Sequence, residues 1–259
     1  MSISDLFSVQ GKVVVVTGGS RGIGRMIAQG FVEAGARVYI SARKAEACNE
    51  TAKELSASGE CLAIPADLGV QSGVEHLASE IAQREKQVHV LVNNAGATWG
   101  APLEEFPDSG WDKIMAVNVK GVFYLTTKLL PLLRKAATKD DPARVINIGS
   151  IDGLRVPAMF DNFSYSASKA AVHMLTRHLA AKLVNEHINV NAIAPGLFPS
   201  KMTQFVFEGL GEEGAASSIP MGRAGRPEDM AGTAIYLASR AGSYLTGAVI
   251  PVDGGVSTR

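Results

Sequence analysis

Short apolar, β-branched runs recur along the 259-residue chain, and longer stretches with apolar positions three and four apart fill the intervals. Runs of the first kind predict buried strands and stretches of the second kind predict helices. The strand candidates are Lys12–Val16, the run ending Val38-Tyr39-Ile40-Ser41-Ala42-Arg43, Cys61–Ala66, Val88–Val92, Arg144–Ile148, Ile188–Ile193 and Ala248–Val252. Helices are expected from Met26 to Ala34, Ser72 to Glu85, Trp111 to Ala136 and Tyr165 to Asn185. Strands alternating with helices in this order imply a seven-stranded parallel sheet with helices on both faces, an α/β doubly wound fold. The chain carries no linker, low-complexity tract or internal repeat, so one domain is expected over 1–259. Its glycine- and acid-rich stretch from Gly209 to Gly214 reads as a mobile loop with short helices.

One strand–helix junction carries chemistry. Lys12-Val13-Val14-Val15-Val16 runs directly into Thr17-Gly18-Gly19-Ser20-Arg21-Gly22-Ile23-Gly24, and a helix-forming segment follows. Such a turn offers free N–H groups and the positive end of a helix dipole to a pyrophosphate. Gly18, Gly22 and Gly24 stand where a side chain would obstruct the tight turn, the phosphate approach or the helix packing. With Ser20, Arg21 and Ile23 between them they predict the dinucleotide cradle of a Rossmann fold. At the end of the second strand such folds place a carboxylate for the ribose of NAD or a cation for the 2′-phosphate of NADP. Ala42 and Arg43 occupy that place here, and Arg21 sits inside the turn. Two cations without a carboxylate predict NADP(H), although Glu46 lies close enough to blur the charge.

A second constellation is Tyr165-Ser166-Ala167-Ser168-Lys169, within a predicted helix. Positions i and i+4 share a helix face, so the phenol and the ammonium lie together. An ordinary phenol titrates near about 10, and a fixed cation beside it is expected to draw that value toward neutrality. Tyr165 then becomes a proton donor or acceptor for a carbonyl oxygen; taken alone, the pair is equally an ordinary helix face.

Composition narrows the partners. Lys plus Arg and Asp plus Glu are equal at 25 each, so no net basic charge advertises nucleic acid or an anionic membrane. Met1 to Gly11 lacks the pattern of a secretory signal and no later run approaches a membrane span, which makes the cytoplasm the expected location. Cys48 and Cys61 form no Cys-x-x-Cys pair and read as free thiols. Five histidines, His173 and His178 among them, lack ligand spacing, so no metal is predicted.

The ordered motifs are more specific than any one of them. Thr17-Gly18-x-x-x-Gly22-x-Gly24, Asp67-Leu68, Asn93-Asn94-Ala95-Gly96, Asn118 in Val117-Asn118-Val119, Ser150, Tyr165-x-x-x-Lys169, Pro195-Gly196 and Asp253-Gly254-Gly255 follow one another along nearly the whole chain. In this set the sequence resembles the short-chain dehydrogenase/reductase family. Within it the chain is similar to bacterial β-ketoacyl reductases, through Gly110-Trp111, Pro142-Ala143-Arg144-Val145-Ile146-Asn147-Ile148-Gly149-Ser150 and Ile219-Pro220-Met221-Gly222-Arg223.

The resemblance implies a catalytic tetrad of Asn118, Ser150, Tyr165 and Lys169 in an NADP(H)-dependent oxidoreductase. Tyr165 would protonate the carbonyl oxygen of a ketone, expected to be a 3-oxoacyl thioester, while the nicotinamide delivers hydride to its carbon. Ser150 and Tyr165 would bind the substrate oxygen, Lys169 would hold the nicotinamide ribose and lower the tyrosine pKa, and Asn118 would sit at a helix irregularity supporting a water. Asp67 and Leu68 would meet the adenine, Asn94, Ala95 and Gly96 the adenosine side, and Pro195, Gly196 and Ser200 the nicotinamide. Ser164, beside Tyr165 on the same helix, is not expected to converge on the same oxygen.

Two departures from the family pattern bear on substrate. Ser150 and Tyr165 are fifteen positions apart, about two more than is common in the family, so the stretch 152–162 is expected to be expanded. The places where carrier-protein-dependent relatives have basic residues hold Pro131 and Glu186, with Lys128, Arg134 and Lys135 on neighbouring turns. Thr98, Trp99, Ile151, Asp152, Phe160, Leu197, Phe198 and the segment 202–221 are expected to form an apolar substrate mouth, within a substrate loop at 197–222. An alcohol, sugar or steroid dehydrogenase is the alternative reading, and a non-catalytic NADP(H)-binding protein is a third, disfavoured by retention of the whole tetrad. The family also implies a homotetramer.

Overall fold

A computed structural model describes residues 2–157 and 160–258. Seven parallel strands form one sheet: β1 (Val13–Thr17), β2 (Arg37–Ser41), β3 (Cys61–Ala63), β4 (Val90–Asn93), β5 (Ala143–Ile148), β6 (Ile188–Pro195) and β7 (Val249–Val252). Their spatial order is β3-β2-β1-β4-β5-β6-β7. All neighbours pair in parallel, as the alternating pattern predicts.

Every residue of β1, β4, β5 and β6 is buried, because each strand is covered on both faces. Alternation divides β1 between two cores. Val14 and Val16 pack with α2 (Gly22–Glu33), α3 (Ala45–Leu55) and α9 (Pro227–Ala238), through Ile27, Phe31, Cys48, Met230 and Leu237. Val13 and Val15 pack with α4 (Gln71–Arg84), α6 (Val122–Ala136) and α7 (Phe163–Leu183), through Leu77, Ile81, Leu125, Leu129 and Leu183. Burying one such aliphatic side chain contributes about 1.5–3 kcal/mol, so four consecutive valines fix β1 firmly at the centre.

Three segments depart from expectation. The third strand ends at Ala63 rather than Ala66; it is an edge strand, although Ile64 and Ala66 still donate to Ile40 and Ala42. The expected helix Trp111–Ala136 consists of α5 (Asp108–Met115), a π-helical segment Ala116–Gly121 and α6. The Gly209–Gly214 stretch belongs to α8 (Gln204–Ser217), which is broken at Gly211, where φ is +67°. A short α1 (Ile3–Phe7), capped by the Ser2 hydroxyl, precedes the sheet. The stretch 152–162 includes positions 158 and 159, which lie outside the described residues.

The strand order reverses between β1 and β4. Connections leave these two strands toward opposite edges of the sheet, which opens a crevice beyond their carboxyl ends. Thr17 rivets its two lips: the Thr17 hydroxyl accepts from the Asn94 and Ala95 N–H groups, each at 2.9 Å. Asn94 Nδ2 donates back to the Thr17 carbonyl at 2.8 Å and the Gly18 carbonyl at 3.2 Å.

Candidate active site

The crevice has a volume of about 960 Å³. One end is the glycine turn. Gly18 and Gly22 have φ of +66° and +53°, a region that residues with a Cβ avoid. A Cβ on Gly24 would strike the Gly18 carbonyl and Asn94 Nδ2. Helix α2 starts at Gly22 with no side-chain cap and no acid in its first turn, so its leading N–H groups remain available to an anion.

Arg21, Arg43 and Lys44 line the same end. None of the three enters an ion pair among the described residues, and Glu46 is absent from the lining. Lys44 was not anticipated; the signal was its position directly after Arg43. Ser41 also lines this end, its buried hydroxyl without a hydrogen-bond partner among the described residues. Free N–H groups, three unpaired cations and no carboxylate suit a dinucleotide bearing an extra phosphate. Asp67, Leu68, Asn94, Ala95, Gly96, Pro195, Gly196 and Ser200 continue the lining, so every position expected to meet the cofactor lies on this one crevice.

Ser150, Tyr165 and Lys169 line the other end. Ser150 leaves the tip of β5, and Tyr165 and Lys169 stand one turn apart on α7, with the ammonium 5.4 Å from the phenol ring centroid. Lys169 is 5% exposed, and its ammonium donates to the Ile148 carbonyl at 2.8 Å. Burial disfavours its charged form and lowers its pKa to about 8, against the opposing charge of Asp152. Burial acts on Tyr165 in the opposite direction. The phenol is pushed up to about 12, with the Ser150 hydrogen bond lowering it and the Asp152 charge raising it further. The protein alone therefore does not lower the tyrosine pKa as the Tyr–Lys spacing led us to expect. Desolvation is the largest cause in both, and it shifts each side chain toward its neutral form.

Asn118 lies in the π-helical segment, at the irregularity expected of it, but behind the crevice wall rather than on it. Its amide is fully engaged. Nδ2 donates to the Ala97 carbonyl at 3.0 Å and to Ser168 Oγ at 2.9 Å, and Oδ1 accepts the Ala97 N–H at 2.9 Å. Asn118 thus ties the β4 loop to the turn of α7 that separates Tyr165 from Lys169. Ser164 is buried with an unpartnered hydroxyl and stands off the crevice.

The expected substrate mouth is only partly assembled. Thr98, Phe198 and Met202 line the crevice, whereas Trp99, Ile151, Asp152 and Phe160 do not. Trp99 lies beside Gly110 with the Lys113 ammonium over its ring, and Phe160 stacks edge-on against Phe205 at 5.3 Å. Leu197 faces a second, smaller cavity of about 370 Å³ with Ile219 and Met221. His173 is buried beneath Gly149 and Gly153, and desolvation lowers its pKa to about 4.

Known proteins resemble this chain over nearly its whole length. The family described as enoyl-(acyl carrier protein) reductase matches residues 18–257. The chain is 56% identical to the rhamnolipids biosynthesis 3-oxoacyl-[acyl-carrier-protein] reductase of Pseudomonas aeruginosa, over 96% of this chain and 97% of that protein. It is 37% identical to a galactitol 2-dehydrogenase (L-tagatose-forming) of Cereibacter sphaeroides, over 98% of each. Among solved structures, the Pseudomonas aeruginosa RhlG/NADP active-site complex superposes with a TM-score of 0.94 at 55% identity, covering 98% of this chain and 99% of that one. With a glycine turn at one end of the crevice, a serine, tyrosine and lysine at the other, and relatives alike over their full length, the chain belongs to the short-chain dehydrogenase/reductase family of oxidoreductases.

Proposed function

We propose that the protein is an NADP(H)-dependent reductase of a 3-oxoacyl thioester, with Tyr165 as proton donor. The observation that carries the chemistry is the placement of Ser150, Tyr165 and Lys169 on the same crevice as the glycine turn and the three unpaired cations. The 56% identity to a 3-oxoacyl reductase supports the substrate class.

Gly18 to Gly24 and the first turn of α2 hold the pyrophosphate, and Arg21, Arg43 and Lys44 take the 2′-phosphate. Asp67 and Leu68 flank the adenine, Asn94, Ala95 and Gly96 the adenosine side, and Pro195, Gly196 and Ser200 the nicotinamide. When bound, NADPH supplies the hydride that reaches the carbonyl carbon. Ser150 donates to the carbonyl oxygen and stabilises the negative charge that grows there. Tyr165, whose phenol burial keeps protonated, delivers its proton to the same oxygen. Lys169 holds the nicotinamide ribose and favours the phenolate left behind, and Asn118 acts as a positioning residue through Ala97 and Ser168.

The rim favours an apolar chain. Met202 lines the crevice, and Met202, Phe205 and Leu210 are exposed apolar side chains in the segment 197–222 that we take as the substrate loop of a single-domain protein. For the carrier, Arg134 is paired with Glu186 and Lys128 with Glu75, while Lys135 has no ion pair among the described residues. That pattern suits a coenzyme A thioester at least as well as a carrier protein. We further propose a homotetramer. Exposed Phe123 and Tyr124 on α6 and Met174 on α7 are apolar side chains a subunit contact would cover. No helix among the described residues is long and apolar enough to cross a membrane. Two free, buried thiols, Cys48 and Cys61, fit a reducing cytoplasm.

The test is NADPH oxidation with acetoacetyl coenzyme A, run beside NADH, beside galactitol with NADP+, and beside Tyr165→Phe. NADPH turnover that vanishes in the variant supports the assignment. Turnover with the polyol alone moves the protein to the sugar dehydrogenases, and loss of activity on raising salt with a carrier-protein substrate but not with coenzyme A identifies electrostatic carrier docking.

A further inference from the structure

Asp152 stands two residues beyond Ser150, and a chain of hydrogen bonds through Asn162 links it to the head of α7. Its N–H donates to Ser150 Oγ at 3.1 Å, and its Oδ2 accepts Asn162 Nδ2 at 3.3 Å. Asn162 in turn accepts Ser166 Oγ at 3.1 Å through its own Oδ1, and its carbonyl accepts the Tyr165 N–H at 2.9 Å. Asp152 and Asn162 are 10 positions apart in the chain, so these contacts fix the serine turn against the tyrosine helix. Asp152 enters no ion pair among the described residues. Arg155, the cation nearest in sequence, donates instead to the Val256 carbonyl at 2.9 Å.

We infer that Asp152 is a positioning residue of the catalytic pair, which locks the Ser150 turn to the head of α7 and holds a negative charge beside Tyr165 and Lys169, so that the pH range of activity depends on it. The inference rests on Tyr165 being the proton donor. Among the described residues Asp152 is the one acid whose charge bears on both groups, and it raises the pKa of each. The other charged or titratable groups facing this cluster are Arg155 from the same loop and His173 from the next turn of α7, with Arg177 beyond it. His173, pushed down to about 4, is neutral across the working range, so it does not compete as the source of a pH effect. Removing the Asp152 charge therefore lets Tyr165 and Lys169 deprotonate at lower pH, while an asparagine in its place still offers Asn162 an oxygen.

The experiment compares wild type with Asp152→Asn, Asp152→Glu, Asn162→Ala and Tyr165→Phe. One readout is the pH profile of kcat/KM for NADPH-dependent reduction of acetoacetyl coenzyme A. The other is titration of phenolate ultraviolet absorbance in the NADP+-saturated protein, with the Tyr165→Phe spectrum subtracted. Asp152→Asn should move the basic limb of reduction and the phenolate midpoint to lower pH by about one unit, a tenfold change in the proton equilibrium. Asp152→Glu should restore the wild-type midpoint. Asn162→Ala, which cuts the link but keeps the charge, should lower kcat without moving the midpoint. An unchanged profile and midpoint in Asp152→Asn, with Tyr165→Phe inactive, overturns this inference and leaves the assignment of Tyr165 standing. An active Tyr165→Phe overturns both.

Discussion

The two ends of the central strands bury charge in opposite ways. At the amino ends, Lys12 and Arg144 are 8% and 1% exposed, and both meet the Asp141 carboxylate. Lys12 pairs with Asp141 at 2.6 Å, and Arg144 donates to the Leu237 and Ser239 carbonyls, each at 3.0 Å, and to Asp141 at 3.4 Å. At the carboxyl ends, Lys169 is buried to the same degree with a single carbonyl acceptor and no ion pair among the described residues. Burial lowers the pKa of all three, but only Lys12 and Arg144 have a carboxylate bonded to them that pulls it back. Paired charge at one end fastens β5 to the end of α9; underpaired charge at the other stays able to titrate near neutrality, as a catalytic group requires.

The sharpest way to break this contrast is at Tyr165. Tyr165→Phe removes the proton donor and should lower kcat/KM about a thousandfold with the fold intact, measured by NADPH turnover and thermal melting. Arg144→Met strikes the other end. It leaves the Leu237 and Ser239 carbonyls without their donor and should cost about 3 kcal/mol in denaturant unfolding, while the pH profile of activity stays in place.

Lys169→Met should do the reverse of Arg144→Met and stabilise the protein. The folded pKa of about 8 lies below the ordinary lysine value of 10.5, so between those pH values the unfolded chain binds more protons than the folded one. Stability therefore rises with pH through that window, and the cost of burying the ammonium is fully present below it. Removing the charge should gain about 2 kcal/mol at neutral pH, with the difference shrinking from about pH 8 and gone above 10.5, and should abolish activity. The smallest expected effect lies at the cation cluster: Arg43→Ala and Lys44→Ala should each raise the KM for NADPH about tenfold and leave that for NADH unchanged.

The contrast also marks what spacing reveals and what it conceals. Strand positions were legible because a strand buried on both faces writes itself as an unbroken apolar run, as in Val13–Val16. Boundaries shifted where sheet edges or helix irregularities decide them, at Ala63 and across Ala116–Gly121. Tyr165 and Lys169 were legible because four positions on a helix are a fixed distance. The direction of the Tyr165 pKa was not, since it depends on desolvation by residues that only the fold brings near. Asp152 was placed at a substrate mouth, yet its contacts run to Asn162, a partner defined by a loop and not by a period.

The strand order has a consequence for how the molecule comes into being. Every group at the phosphate end, from Gly18 to Gly96, belongs to β1, β2, β3, β4 and their loops, whereas Ser150, Tyr165 and Lys169 follow β5. As the chain leaves the ribosome, the nucleotide half can be built before any of the reaction chemistry exists. Until Ala143–Ile148 arrives, however, β4 presents a bare edge that is apolar from Val90 to Val92. Synthesis thus passes through an interval in which the phosphate end is in place while the β4 edge is open to aggregation, and the arrival of β5 closes that interval and delivers the first catalytic residue together.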